Sequence, residues 1–229
     1  MIPWIKSKKS IQPIPDAEFY KPLFSPWLGY GEFGPLYKKI KPYTIVSADR
    51  CWVLFRIALQ AIHLNGEIWE CGIYKGGTAL LLANIISKKA EEKITLRLFD
   101  TFEGMPLTDI NNDIHKKGDF SETSYDQIVN LMGNKTFIKF HKGNIPNTFI
   151  GLENSRISLA HIDVDIYESI YSCCNFIYDR LCTGGFIIFD DYGHPTCPGA
   201  RKAVDNFFID TNIIPIQLPT GQAIIFKSF

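Results

Sequence analysis

The sequence has no excess of charge of either sign and no long apolar run. Its 24 Lys and Arg residues are matched by 24 Asp and Glu residues, so no field of one sign attracts nucleic acid or an anionic membrane surface. No apolar run approaches the roughly 20 residues of a membrane helix, and residues 1–15 lack the apolar stretch of a signal peptide. We therefore expect a cytoplasmic protein whose partner is a small molecule, with no nucleic-acid or membrane partner.

The cysteine spacing typical of zinc sites is also missing. No CxxC pair occurs, and the cysteines mostly lie within apolar segments, as buried free thiols do. We expect free thiols, with a disulfide or zinc site as the less favoured alternative. The six cysteines are Cys51, Cys71, Cys173, Cys174, Cys182 and Cys197.

Residues 1–40 differ in composition from the rest of the 229-residue chain. They hold six of the 13 prolines and eight aromatic residues, and they show no regular period. This composition predicts an arm that packs on the main body or on another subunit, with a lid over a site as the alternative. Residues 41–229 are long enough for one domain with its own core.

Helix-like and strand-like segments alternate after residue 40. This alternation predicts an α/β fold with a mostly parallel sheet and helices on both faces. Ser47 is placed to cap the first helix, and a Thr-Gly turn between the last two strands predicts an antiparallel hairpin. Helices are predicted over 47–64, 78–93, 124–133 and 168–181. Strands are predicted over 66–72, 95–100, 136–143, 157–165, 184–191, 213–220 and 222–229.

The turn after the first strand is the first candidate binding site. In open parallel sheets, ligands bind outside the carboxyl ends of the strands. Residues 70–77, ECGIYKGG, occupy that position, and their glycines let a ligand approach the backbone closely. The spacing is not GxGxxG, which favours a nucleoside over a pyrophosphate. An ordinary tight turn is the alternative.

Asp100 ends the second predicted strand and is the second candidate. A carboxylate at this position can accept hydrogen bonds from both ribose hydroxyls of a nucleoside bound over the first strand. Capping of a helix or turn is the alternative. Taken with Glu70 and Gly72, Asp100 favours a nucleoside site.

Four aspartates end the next two predicted strands. Asp163 and Asp165 alternate with apolar residues and share one face of their strand, and Asp190 and Asp191 follow the neighbouring strand. Converging carboxylates raise each other's pKa unless a cation lies between them. With no cysteine and at most one histidine nearby, Mg²⁺ is preferred to zinc, and Mn²⁺ is an alternative. Helix capping or pairing with Lys and Arg is the other interpretation.

The motifs together resemble the macrocin O-methyltransferase (TylF/MycF-type) family of S-adenosylmethionine-dependent enzymes. The resemblance runs from about Tyr43 to the C-terminus, through WECGIYKGGTA, LFDTFEGMP, HKKGDF, HIDVDIYES and GGFIIFDDYG. It implies a Rossmann-like methyltransferase fold with a seven-stranded sheet. It also implies transfer of a methyl group from S-adenosylmethionine to a hydroxyl of a small molecule, such as a sugar or glycosylated natural product with adjacent hydroxyls. We expect a homo-oligomer, with a dimer as the simplest case.

The resemblance also assigns roles to individual residues. Asp165 matches the proposed general base beside the metal ligand Asp163. Catechol-type enzymes have a lysine base at the position of Ile166, so Asp165 takes that role here, with His194 as the competitor. The implied cofactor residues are Glu70, Gly72, Tyr74, Gly76, Gly77, Asp100, Phe102, Asn144 and Ile145. The implied metal ligands are Asp163, Asp190 and Asp191.

The sequence leaves open the role of the segment 115–120 and two alternative functions. The segment 115–120 would either cover the site or be a plain surface loop. His161, Asp163 and His194 are the residue types of a non-heme Fe(II) oxygenase, although His161 lies deeper in its strand. A nucleoside-binding protein without catalysis is the second rival.

Overall fold

The computed structural model describes residues 22–228, whose seven strands form one sheet. The strands are β1 Glu67–Cys71, β2 Leu96–Asp100, β3 Ile138–Lys142, β4 Ile157–Ile162, β5 Leu181–Phe189, β6 Ile216–Gln217 and β7 Ala223–Phe226. Their order across the sheet is β3-β2-β1-β4-β5-β7-β6. The predicted arm lies partly outside the described residues, because positions 1–21 are not among them.

The first five strands are parallel, and the last two are not. β7 pairs antiparallel with β5 and with β6, as the C-terminal hairpin prediction requires. β6 contains two residues instead of the eight predicted. Pro215 and Pro219 flank it closely, and proline cannot donate a hydrogen bond to a strand ladder.

Within residues 22–228, six α-helices surround the sheet. They are α1 Phe33–Ile40, α2 Ala48–Ala61, α3 Gly77–Lys89, α4 Tyr125–Met132, α5 Tyr167–Arg180 and α6 Pro198–Phe208. Helices α1 to α4 contribute to one apolar cluster, and α5 and α6 contribute to a second. Alternation along β1 separates the two clusters, since Ile68 belongs to the first and Trp69 to the second.

Two helices are absent from the sequence-based prediction. α1 buries Phe33, Leu36 and Ile40, so the prediction that the arm has no regular period is wrong for residues 33–40. α6 begins at Pro198 and buries small residues such as Ala203. Both helices place apolar residues at spacings of three and four, but Pro and Gly within or beside them obscure the pattern.

Three details of the predicted elements need correction. β4 ends at Ile162 and β5 at Phe189, so the four aspartates lie in the loops beyond the strands. Strand alternation therefore does not place Asp163 and Asp165 on one face, and Asp165 adopts a left-handed backbone, with φ of 57°. Ser47 directly precedes α2, but its side chain accepts no capping hydrogen bond from the helix backbone and instead contacts Asp49 and Arg50.

The prediction for the cysteines agrees with the structure. All six cysteines are free and buried. In residues 22–228, no helix combines the length and apolar character needed to span a bilayer.

The end of β1 passes very close to the loop that follows β4. Gly72 has φ of +85°, and a Cβ built on it would lie 1.7 Å from the carbonyl oxygen of Asp163. The amide of Asp163 donates to the carbonyl of Cys71 at 2.8 Å. Gly72 is thus required by contact between two protein segments, whatever ligand binds beside it.

We expect Gly72→Ala to lower the free energy of unfolding by about 3 kcal/mol or more, because it adds a backbone clash to an unfavourable φ. Gly118→Ala is the matched control, since Gly118 has φ of +90° but no atom within 4 Å of the position that a Cβ would occupy. The control should cost only about 1 kcal/mol of backbone strain. Chemical denaturation measures both changes, and equal losses would contradict the clash.

Candidate functional site

A cavity opens at the carboxyl ends of β1 and β4, where the strand order reverses. From β1 the chain continues to β2 on one side of the sheet, while β4 continues to β5 on the other. This is the position at which open α/β sheets bind ligands. The cavity wall combines turns after the strands with residues 43–46, parts of the loop 101–120, and the segment before α6.

The predicted site residues divide into those that line the cavity and those that lie behind its wall. The lining residues are Gly72, Tyr74, Asp100, Asn144, Ile145, Asp163, Asp165 and Asp191. Behind the wall lie Glu70, Gly76, Gly77, Phe102 and Asp190, which are absent from the lining.

Asp100 ties the end of β2 to the turn after β1. Its Oδ2 accepts from the amides of Ile73 at 2.7 Å and Tyr74 at 3.2 Å. Its Oδ1 accepts from the amide of Phe102 at 2.6 Å. A carboxylate offers roughly four acceptor positions, so about one remains for a ligand. Both ribose hydroxyls can bind only if a backbone amide is displaced.

The glycines that open α3 contact protein atoms. Gly76 has φ of +83°, and a Cβ added to it would lie 3.2 Å from Ile128 and Met132. A Cβ on Gly77 would lie 2.5 Å from the Cβ of Thr44. These two glycines therefore let α3 pack closely against α4 and the segment before α2.

Phe102 and Asn144 occupy different positions relative to the cavity. Phe102 is buried and packs edge-on against Tyr125, with ring centroids 5.2 Å apart. Asn144 and Ile145 follow β3 and face the cavity next to Asp100. The amide of Gly143 donates to the carbonyl of Asp100 at 2.9 Å, which fixes this loop beside β2.

Asp163 and Asp191 are the least compensated carboxylates of the site. Burial, then repulsion from Asp190, raises the pKa of Asp163 well above its ordinary value. Burial, then repulsion from Asp165 and Asp163, raises the pKa of Asp191 in the same way. Within residues 22–228, neither carboxylate accepts a hydrogen bond from a side chain, and Asp191 accepts only the amide of Asp165, at 3.1 Å.

Asp190 belongs to a buried ionic chain. It pairs with the guanidinium of Arg50 and also accepts the amide of the Gln222 side chain at 2.7 Å. Its Oδ1 lies 3.4 Å from Nε2 of His161, whose Nδ1 lies 2.9 Å from Oε1 of Glu70. Burial opposes ionisation of Asp190, but His161 and Arg50 outweigh it and lower the pKa.

The same contacts favour the charged form of His161. Burial favours its neutral form, but hydrogen bonds to Asp190 and Glu70 raise its pKa well above the ordinary value. Glu70 Oε2 is buried and has no partner among the described residues. This buried ionic chain therefore links β1, β4, the end of β5 and α2 through four side chains, which are Glu70, His161, Asp190 and Arg50.

Arg50 is a site residue that the sequence analysis missed. It is 8% exposed and lies in α2 among buried residues that include Leu54 and Ala58. The sequence did contain a signal for it, because Arg50 is a charged residue at a position where the helical period of α2 calls for an apolar one.

The predicted ligands offer the carboxylate oxygens that a hard divalent cation prefers, but within residues 22–228 Asp191 joins no group of three potential metal ligands. Among residues 22–228, Asp163 and Asp191 form no salt bridge, and carboxylate oxygens are the ligands that Mg²⁺ prefers. Single ligand atoms of His161, Asp163 and Asp190 lie within 4.8 Å of one another. Because Asp190 already binds Arg50 and Gln222, it could serve a metal only by sharing its oxygens.

Asp165 is surrounded by groups that the sequence did not place near it. The thiol of Cys197 donates to Asp165 Oδ1 at 3.2 Å. His115 Nε2 lies 3.8 Å from the same oxygen, and His115 Nδ1 lies 3.2 Å from Asp119 Oδ2. Burial raises the pKa of Asp165. The expectation that no cysteine lies near the aspartates is wrong.

The segment 115–120, predicted to cover the site, lies partly in the cavity wall, whereas the iron site predicted with His194 does not form. His115 and Phe120 line the cavity, whereas Lys116 and Lys117 are exposed. His194 also lines it, but among residues 22–228 it joins no group of three metal-ligating side chains. The iron set of His161, Asp163 and His194 is therefore not assembled.

The sequence matches the macrocin-O-methyltransferase (TylF) family over residues 42–220, which is most of the chain. The chain belongs to this family. The resemblance read from the motifs is confirmed, and the match includes every cavity-lining residue named above.

Curated relatives and a solved structure are also similar to this chain. The chain is 24% identical over 158 residues to demethyldecarbamoylnovobiocin O-methyltransferase of Streptomyces niveus, covering 63% of this chain and 59% of the relative. It is 24% identical over 155 residues to 8-demethyl-8-(2,3-dimethoxy-alpha-L-rhamnosyl)-tetracenomycin-C 4'-O-methyltransferase of Streptomyces olivaceus, covering 62% and 58%. The chain thus spans less than two thirds of the length of these relatives.

The structure of the O-methyltransferase NovP superposes with a TM-score of 0.72 at 20% identity, covering 82% of this chain and 83% of that one. This similarity confirms the predicted methyltransferase fold with its seven-stranded mixed sheet.

We expect Arg50→Met to lower the free energy of unfolding by about 3–5 kcal/mol at neutral pH, because it leaves Asp190 buried without its main cation. The lowered pKa of Asp190 stabilises the wild type above the ordinary aspartate pKa, and this contribution is lost as pH falls through the folded-state value. The difference in free energy of unfolding between the wild type and Arg50→Met should therefore become smaller as the pH is lowered.

Urea denaturation between neutral and acidic pH measures this deficit. Arg56→Met is the control, since Arg56 is exposed on the same helix and lies over the ring of Trp52. It should change stability by about 1 kcal/mol or less. A deficit that is independent of pH would show that the Arg50 side chain stabilises the fold by packing alone.

Proposed function

We propose that this protein transfers a methyl group from S-adenosylmethionine to a sugar hydroxyl of a glycosylated natural product. One observation carries the proposal. The chain belongs to the TylF family, and its cavity at the reversal of strand order is lined by Asp165 together with part of the predicted nucleoside set, namely Gly72, Tyr74, Asp100, Asn144 and Ile145. Enzymes that move a methyl group between two substrates must hold both in line at one site.

The cofactor end of the cavity lies over β1 and β2. Asp100 has about one acceptor position left for a ribose hydroxyl, and a second becomes available if the amide of Tyr74 or Ile73 turns away. Asn144 and Ile145 lie beside Asp100 where an adenine ring would rest. Glu70, Gly76, Gly77 and Phe102 support this end from behind the wall.

The acceptor end lies over β4 and β5. We assign Asp165 as the general base, because it faces the cavity and burial raises its pKa, which makes the carboxylate a stronger proton acceptor. Asp163 and Asp191, with Asp190 as a shared ligand, would hold Mg²⁺ or Mn²⁺. When bound, the cation would lower the pKa of an acceptor hydroxyl. His194 remains the competing base.

The acceptor is proposed from the relatives and from the cavity wall. The Streptomyces olivaceus relative is named for a rhamnosyl group on a polycyclic compound. In this chain Ile45, Met105 and Pro106 line the cavity, and the adjoining loop exposes Leu107 and Ile110. A glycoside could place its diol near Asp165 and its apolar body against these residues.

The arm and the oligomeric state also remain proposals. Within the described part of the arm, Leu23, Phe24 and Leu28 are largely exposed. Apolar side chains of this size at the surface favour contact with another subunit, in line with a homo-oligomer. The boundary near residue 40 separates arm from domain only by composition, since α1 already packs in the core.

We expect the protein to bind S-adenosylhomocysteine and Asp100→Asn to weaken that binding roughly tenfold or more, since a charged acceptor is lost. Calorimetric titration measures both affinities. Glu103→Gln is the matched control, because Glu103 is exposed in the same loop and does not line the cavity. A wild type that binds no S-adenosylhomocysteine would rule out the cofactor assignment.

We expect Asp165→Asn to reduce kcat for methyl transfer by roughly 10²–10⁴-fold while leaving S-adenosylhomocysteine affinity unchanged, because only proton removal is lost. Mass spectrometry of rhamnosylated polycyclic acceptors with and without Mg²⁺ measures the transfer. His194→Gln is the comparison variant. A larger loss in His194→Gln would reassign the base, and tight cofactor binding without any transfer would favour the non-catalytic alternative.

A further inference from the structure

Three side chains of different chemistry meet at the acceptor end of the cavity. Cys197 Sγ lies 3.2 Å from Asp165 Oδ1 and 3.7 Å from His115 Nε2. The third separation, between His115 Nε2 and Asp165 Oδ1, is 3.8 Å. Sulfur, nitrogen and oxygen therefore form a triangle with nearly equal sides.

The size of this triangle matches tetrahedral coordination of zinc. Bond lengths of about 2.3 Å to sulfur and about 2.0–2.1 Å to nitrogen and oxygen place neighbouring ligand atoms about 3.3–3.6 Å apart. The observed sides of 3.2, 3.7 and 3.8 Å differ from these values by only a few tenths of an ångström. Small side-chain rotations would suffice to receive an ion.

The histidine is already oriented for this role. His115 Nδ1 lies 3.2 Å from Asp119 Oδ2, which also accepts the amide of Lys116 at 3.0 Å. This contact directs Nε2 toward Cys197 and Asp165. Metal-binding histidines almost always have such a carboxylate or carbonyl partner on the other ring nitrogen.

The surrounding loops hold the three ligands in place. Asp113 Oδ1 accepts the amide of Tyr167 at 2.9 Å, which fixes the segment before His115 against the start of α5. Cys197 immediately precedes α6, and its amide donates to the carbonyl of His194 at 3.0 Å. All three ligands line the cavity, so an ion can enter and a fourth ligand can approach from inside it.

We propose that His115, Asp165 and Cys197 form a binding site for a thiophilic divalent cation such as Zn²⁺, distinct from the Mg²⁺ site predicted at Asp163, Asp190 and Asp191. A thiolate and an imidazole select Zn²⁺ or Cd²⁺ over Mg²⁺, which prefers oxygen ligands. The two predicted sites share no ligand.

Occupation of this site would have a catalytic consequence that rests on the proposed function. An ion bound to Asp165 takes the electron pair that the base needs for proton removal. Zn²⁺ would then inhibit methyl transfer even when Mg²⁺ is present. Binding of the ion itself does not depend on that function.

The test is titration of the metal-stripped full chain with Cd²⁺ in thiol-free buffer, followed by ultraviolet thiolate-to-metal charge transfer. We expect one equivalent to produce the band in the wild type and Cys197→Ser to abolish it. Cys182→Ser is the matched control and should keep the band, because Cys182 is also buried but lies in β5 away from the cavity. The absence of a band in the wild type, or its persistence in Cys197→Ser, would overturn the proposal.

Further variants separate this site from its neighbours and guard against misfolding. His115→Gln should weaken Cd²⁺ binding at least tenfold, and Asp119→Asn should weaken it roughly 10–100-fold. Asp163→Asn should leave the Cd²⁺ affinity unchanged, and a loss there would assign the ion to the other carboxylates instead. Each variant must retain the wild-type circular dichroism. Cd²⁺ binding in a protein without methyl transfer would retain the site and refute the proposed function.

Discussion

The buried pairing of Arg50 with Asp190 is the interaction on which the site most depends. Taking a carboxylate out of water is costly unless a cation and hydrogen bonds replace the solvent. Asp190 has both, from Arg50, His161 and Gln222, and His161 is held in turn by Glu70. These contacts join the carboxyl ends of three adjacent strands to α2 at the acceptor end of the cavity.

The buried ionic chain leaves two neighbouring carboxylates without a salt bridge to any residue in 22–228. Asp163 and Asp191 face the cavity, and burial followed by repulsion from neighbouring aspartates raises their pKa values. A fold normally avoids such an arrangement, and its cost is most easily understood at a functional site. The structure thus separates a satisfied aspartate that organises the site from unsatisfied ones that are available to a cation.

Chain reversals at the strand ends determine which groups meet. Gly72 lets β1 pass against the loop after β4, and Asp113 joins the long loop after β2 to the start of α5. The second contact carries His115 to Asp165, and the turn before α6 brings Cys197 to the same place. Residues separated by tens of positions in the sequence therefore form one side of the cavity.

The sequence by itself determined the α/β class, the seven strands, the hairpin and the approximate place of the candidate site. These follow from periodicity and from the rule that parallel strands bring their carboxyl ends to one edge, and both are local or topological properties. Only the tertiary structure decided which carboxylates are paired. It showed that Asp100 already caps a turn, that Glu70, Gly76, Gly77, Phe102 and Asp190 lie behind the cavity wall, and that Arg50, His115 and Cys197 belong to the site. The physical reason is that burial and hydrogen bonding depend on distances between segments far apart in the chain, which no local pattern of residues encodes.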